Sequence, residues 1–302
     1  MGRTWGHHPE RGSPILTKFI IWVALRLGRP AARSLLYPIC AYFVVFSPKA
    51  SQGITFYLQR VLGRSPTLRD LFHHYHCFAS TILDRVYLLT DQFALFDVDI
   101  HGAELLYEQW AQGQGCLLLG SHLGSFDIVR TSRIKYFQNL KDFPLKILMY
   151  EEATKELRKI LDKLNPHMAQ AIIPIGTPDA MLQVKESLDR GEFIGILGDR
   201  TVKRDKVVSC RLLGMNVDFP AGPMILATIL RVPVILFFGL YRGGNKYEIY
   251  FEPFIEELSV DRHSREKAVR EWTQHYAERL EFYCRQAPYN WFHFFDYWNE
   301  TD

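Results

Sequence analysis

Apolar positions in the first hundred residues keep a helical rhythm, broken where the chain carries Gly28, Pro30, Ser47-Pro48 and Ser65-Pro66. Those breaks predict helices over about 15–28, 32–46, 50–62 and 68–89. In the last of these, Leu71, Phe78, Ile82 and Val86 recur at helical spacing. Near Phe96 the rhythm changes. Phe96-Asp-Val-Asp-Ile100 alternates as a strand does, and a helical piece follows over about 104–112. The continuously apolar Cys116-Leu-Leu-Leu-Gly120 then fits a strand buried on both faces. Further strand candidates lie at about 145–150, 171–175, 193–197, 207–213, 233–241 and 247–254. Helices are expected between them at about 152–164, 178–190 and 222–231, and a long one at about 264–285 precedes an aromatic tail, 289–298.

Strands alternating with helices predict an α/β fold: a mixed, largely parallel sheet flanked by helices, with an N-terminal helical membrane-associating layer. Residues 1–95 form the helical region and 96–302 the α/β core. No linker separates them, so one continuous folding unit is expected.

Two short apolar segments, 19–25 and 35–46, flank the basic link Arg26-Leu-Gly-Arg-Pro-Ala-Ala-Arg33. The pattern suits helices lying in a membrane interface, with the cations at headgroups and Trp22, Tyr37 and Tyr42 at the boundary. It suits an ordinary two-helix cap on a soluble core equally well. The longest uncharged run, 34–48, falls short of the roughly 18–20 residues that span a bilayer. The first apolar stretch follows a polar lead with His7, His8, Glu10 and Arg11, carries Lys18 and Arg26 and ends without a small-residue cleavage site. A secretory signal is therefore not expected.

Composition adds limits. With 302 residues, 48% of them hydrophobic, the chain can bury a substantial core, and a net charge of +3 gives no reason to expect nucleic acid. The five cysteines (Cys40, Cys77, Cys116, Cys210, Cys284) are scattered and form no C-x-x-C pair, so they read as buried apolar thiols in a reducing compartment.

The candidate chemistry follows the buried strand, where ligands bind in open α/β sheets. There stand Ser121, His122, Gly124, Ser125 and Asp127. Five helical steps turn about 500°, so His122 and Asp127 meet only if the histidine lies in the turn before a helix and the carboxylate in its first turns. Asp127 would then fix the imidazole tautomer and leave the other nitrogen as a general base. H-x-x-x-x-D is short and common, and alone it does not outweigh a packed turn histidine and a helix-start carboxylate. Gly198-Asp-Arg-Thr201 follows another buried strand and should open onto the same sheet edge, where an arginine could bind phosphate or stabilise developing charge.

These residues resemble the late lipid A biosynthesis acyltransferases of the lysophospholipid acyltransferase superfamily. The matching pieces are Gly115-Cys-Leu-Leu-Leu-Gly-Ser-His-Leu-Gly-Ser-Phe-Asp-Ile-Val-Arg130, Gly195-Ile-Leu-Gly-Asp-Arg-Thr201 and Leu213-Gly-Met-Asn-Val-Asp-Phe-Pro-Ala-Gly-Pro223. Val232-Pro-Val234 and Asn290-Trp-Phe-His-Phe-Phe-Asp-Tyr-Trp298 also fit, and the ordered set covers about residues 100–298. The resemblance implies transfer of an acyl group from an acyl-carrier-protein or coenzyme A thioester to a hydroxyl or amine of a membrane lipid, without metal or redox cofactor. By it His122 is the general base and Asp127 its orienting carboxylate. Arg200, Asp199, Ser125 and Arg130 are the expected substrate-binding residues. It also implies the cytoplasmic face of a bacterial inner membrane, held by the N-terminal apolar helices. One departure concerns the acceptor: close lipid A enzymes carry Glu where this chain has Asp127, and Asp is usual in glycerolipid branches.

Other features carry less. His73, His74 and His76 lack further ligands at metal spacing and read as a helical surface patch. Arg130, Arg133, Lys135, Lys141 and Lys146 could dock an acidic carrier protein or lipid phosphates, or could be a solvated face. Most of the tail aromatics are expected to pack on the core. A serine hydrolase would want Ser at the centre of Gly120-Ser-His-Leu-Gly124, where histidine stands. A non-catalytic lipid-binding protein would not need the His122/Asp127 pair or Arg200.

Overall fold

The computed structural model describes residues 14–129, 145–149, 171–176, 179–201, 206–256 and 263–298. The expected helix at 152–164 and the basic residues Arg130, Arg133, Lys135 and Lys141 lie outside these. Three helices come first: α1 (Pro14–Phe46), α2 (Pro48–Leu62) and α3 (Leu68–Leu89). The two predicted N-terminal helices are the arms of α1, joined at Gly28, whose φ of 82° breaks the helix at a residue that tolerates it. Thr67 and Asp70 close a capping box at the start of α3.

The core alternates β1 (Asp97–His101), α4 (Ala103–Ala111), β2 (Leu117–Gly120), β3 (Leu145–Met149) and β4 (Ile172–Pro174). Then come α5 (Ala180–Asp189), β5 (Phe193–Leu197), β6 (Val207–Leu212), β7 (Met215–Pro220), α6 (Gly222–Leu230), β8 (Val234–Gly243), β9 (Lys246–Ile255) and α7 (Arg265–Gln286). Seven strands form one sheet in the order β1-β9-β8-β2-β5-β3-β4. Only the β8–β9 pair is antiparallel, so the sheet is mixed and largely parallel as expected. Its centre is β2, buried at every residue between β8 and β5. β6 and β7 form a separate antiparallel hairpin. The second of these is absent from the sequence reading because Asn216, Asp218 and Pro220 are poor strand formers, which pairing with β6 overrides.

The helical layer is tied to the sheet by polar contacts as well as by packing. Arg29 gives Asp84 two hydrogen bonds of 2.8 Å, from Nε and Nη2, and Tyr247 of β9 donates to the same carboxylate at 2.8 Å. Arg33 donates to Tyr241 of β8 at 3.0 Å. Two of the link's three arginines thus turn inward instead of reaching headgroups, Arg29 to the buried Asp84 carboxylate, which needs a cation, and Arg33 to a tyrosine hydroxyl. Phe19, Trp22, Tyr37, Tyr42, Val45 and Phe46 are exposed on α1. No single described helix is long and apolar enough to cross a membrane, although 19–46 with Pro48–Leu62, bent by 94°, passes that test as a pair. All five cysteines are buried and free.

Candidate active site

Strand register places the site. β2 and β5 are parallel neighbours with Gly120 opposite Leu197, and the Gly198 N–H continues the ladder to the Gly120 carbonyl at 2.9 Å. Two residues further on, the same register sets His122 beside Asp199, about one strand spacing apart. The predicted common edge for the two motifs is therefore formed. Beyond His122 the chain turns at Gly124, where φ is 73° and a Cβ would run into the Gly239 carbonyl. A helix then starts, covering residues 126–129 among those described.

The imidazole does not bond Asp127. Its Nδ1 lies 2.8 Å from Asp199 Oδ1, and the His122 backbone N–H donates to Asp199 Oδ2 at 2.9 Å. Asp199 is fully buried and accepts two more donors at Oδ2, Trp291 Nε1 at 2.9 Å and His293 Nε2 at 3.3 Å. Burial opposes its ionisation, but the surrounding rings and N–H groups hold this carboxyl well below 3.8. An ionised carboxylate only accepts, so the proton sits on His122 Nδ1 and Nε2 keeps its lone pair. Burial, reinforced by the Arg200 charge, holds the His122 pKa below 6.5 despite Asp199. The ring is neutral at neutral pH, while its side chain stays 30% exposed.

Asp127 has another partner. Its Oδ2 accepts Arg85 Nε of α3 at 2.5 Å. In the first turn of the helix after Gly124 it points to α3, whereas a two-residue offset along a neighbouring strand brings Asp199 to the imidazole. Arg200 donates from Nη2 to the Phe292 carbonyl at 2.8 Å, and burial brings its pKa to about 10, so it remains a cation. Ser125, 4% exposed, accepts the Ile128 N–H at 3.3 Å. Its hydroxyl closes a helix start, where N–H groups lack backbone partners. Arg130 lies outside the described residues. Neither Ser121 nor Ser125 bonds His122, as a hydrolase nucleophile would need to.

The tail walls the site. Gly124 N–H donates to the Asn290 carbonyl at 2.8 Å, Phe292 N–H to the His122 carbonyl at 3.1 Å, and Tyr297 O–H to the Asp199 carbonyl at 2.5 Å. The tail aromatics therefore pack inward for the most part, Trp291 being fully buried. The sequence reading missed Trp291 and His293 as supports of Asp199, and Arg85 altogether. Register arithmetic on the two apolar strands could have paired His122 with Asp199; no local pattern marks Arg85. The histidine cluster splits up: His74 is fully buried, His73 stacks on Tyr289 with centroids 4.3 Å apart, and His76 packs on Tyr37 at 5.0 Å. Lys146, the described member of the basic stretch, pairs with Glu192 at 3.2 Å.

Compared with known proteins, residues 7–300 match the family model described as bacterial lipid A biosynthesis acyltransferase. A search of curated proteins finds no match.

Proposed function

This chain belongs to the bacterial lipid A biosynthesis acyltransferase family and is an acyltransferase acting on lipid, and we propose that it moves a fatty acyl group from an acyl thioester to a hydroxyl or amine of a membrane lipid, with His122 as general base. The observation that carries this is the neutral, partly exposed His122 held through Nδ1 by buried Asp199 at a strand-end cleft. His122 Nε2 takes the acceptor proton as the oxygen or nitrogen attacks the thioester carbonyl. The tetrahedral intermediate carries an oxyanion, for which Arg200 supplies the cationic donor. Collapse breaks the carbon–sulfur bond, and the imidazolium returns the proton to the departing thiolate. Asp199 keeps the ring in the tautomer that does this work and stabilises the imidazolium between the two proton transfers.

The family is bacterial and membrane-associated. Contact with a membrane surface is supported by the exposed aromatic side of α1, and the cytoplasmic face of the inner membrane is the side on which a carrier-protein or coenzyme A thioester, as proposed here, would be met. The test is incubation of membranes containing the protein with a labelled acyl carrier protein or coenzyme A thioester and candidate lipid acceptors. Transfer that disappears in His122→Ala is expected; transfer unaffected by the substitution, or thioester hydrolysis needing no acceptor, would sink the proposal.

A further inference from the structure

Arg85 reaches the site from the helical layer. Its neighbour Asp84 binds Arg29 of α1, while Arg85 itself turns to Asp127 in the helix that follows the catalytic turn. Among the described residues, the pairing differs from three two-pronged arginine–carboxylate contacts and shares its single Nε donor with Arg190–Glu192 at the surface. Arg29 grips Asp84 through two nitrogens, as Arg64 does Asp70 and Arg279 does Glu252. Arg85 gives Asp127 only Nε, and among the described residues its Nη1 and Nη2 form no hydrogen bond. The side chain is 27% exposed against 11% for Asp127, so the carboxylate is the inner partner of the two.

A guanidinium tethered at Nε presents Nη1 and Nη2 as a flat fork. That fork suits two oxygens of one anion better than the single oxygen of a tetrahedral intermediate. Arg85 is also near enough to His122 for its charge to oppose protonation of the ring. Asp127 then aims the fork and leaves it unfilled. Resting on the lipid acyl-transfer reading above, we propose that Arg85 is a phosphate-binding residue of this site, aimed by Asp127, taking through Nη1 and Nη2 a phosphate carried by one of the two substrates. The motif carboxylate is by this account a positioning residue for an arginine.

The test uses the full chain in neutral detergent with inorganic phosphate as probe and chloride of equal ionic strength as reference. Diethyl pyrocarbonate acylates neutral imidazole, so its rate at the His122 peptide, followed by mass spectrometry across about pH 5–8, reports the titration of that ring. Phosphate on Arg85 cancels the opposing charge. The expected result is a saturable upward shift of the His122 midpoint in the wild type, lost in Arg85→Gln and largely lost in Arg85→Lys, which keeps a charge without the fork. No shift in the wild type, or an undiminished shift in either variant, would overturn the proposal. Transfer kinetics identify the source of the phosphate. A rise in KM of roughly tenfold or more, the loss of one charge-assisted contact, for the acceptor alone assigns a lipid headgroup. The same rise for the donor alone assigns the phosphate of the thioester. A fall in kcat with both KM values unchanged overturns the binding role. If His122→Ala still transfers, the acyl-transfer reading fails while the phosphate shift in the wild type stands or falls on its own.

Discussion

Replacing Asp199 by Asn tests the proposed catalytic role of the His122–Asp199 pair through its proton count. At Oδ2 the carboxylate accepts the His122 backbone N–H and Trp291 Nε1, both 2.9 Å away. Neither group can become an acceptor. The Asn oxygen must therefore occupy the Oδ2 position, which puts its NH2 at Oδ1, 2.8 Å from His122 Nδ1. His122 can meet that donor only with an unprotonated Nδ1, which moves its proton to Nε2, the nitrogen that has to act as base. Restoring the active tautomer forfeits a charge-assisted hydrogen bond of about 1.5–3 kcal/mol and leaves buried donors facing each other for about 1–3 kcal/mol more. The total, about 3–6 kcal/mol, lowers kcat by roughly 10²- to 10⁴-fold. The assay is steady-state acyl transfer in detergent micelles, with circular dichroism melts to verify folding. Asp127→Asn leaves the Nδ1 partner in place and should retain far more kcat. A folded Asp199→Asn enzyme within about threefold of wild type, or an Asp127→Asn enzyme equally crippled, would refute the assignment.

Further outcomes follow from burial and charge. With the His122 pKa held below 6.5, kcat/KM should be full at neutral pH and lost as pH falls through a midpoint under that value; a pH–rate profile reads it. His74 and His293 are pushed down to about 3 by burial, so the unfolded chain takes up protons below pH 6.5 that the folded chain refuses. Each ring should therefore cost roughly 1.4 kcal/mol of stability per unit as pH falls from about 6.5 towards 3. His74→Phe should remove one share of that slope in urea denaturation at several pH values, and should raise stability at neutral pH because neither ring nitrogen has a hydrogen-bond partner among the described residues. Asp84→Ala strands Arg29, whose side chain is 12% exposed, and should cost about 3–5 kcal/mol in the same assay. Trp22 and Phe46 are 54% and 62% exposed; changing both to Ser should weaken flotation with anionic vesicles, each giving up about 1.5–3 kcal/mol if lipid buries it.

Much of the fold is local in origin. The strand at Phe193–Leu197 falls where its apolar run predicted, and the helix at Arg265–Gln286 lies within a residue of expectation at each end. His122 was placed from its sequence neighbours alone, because a strand buried on both faces followed by Gly124 leaves a turn at a sheet edge. Its partner was not legible in the same way. H-x-x-x-x-D puts a carboxylate close in sequence, yet the closer carboxylate in space is Asp199, 77 positions along the chain.

The sequence by itself thus determined most of the helices and strands, the α/β class and the strand-end turn on which His122 stands, all of which follow from periodicity and turn chemistry within a few residues. Tertiary structure decided which carboxylate meets that histidine. It did so through the pairing of β2 with β5 and the return of the tail, which brings Trp291 and His293 onto Asp199. It also turned Asp127 towards Arg85 of the helical layer. Strand order and the packing of α3 arise from contacts made across the whole chain, and side chains joined by such contacts carry no mark of it in their neighbours.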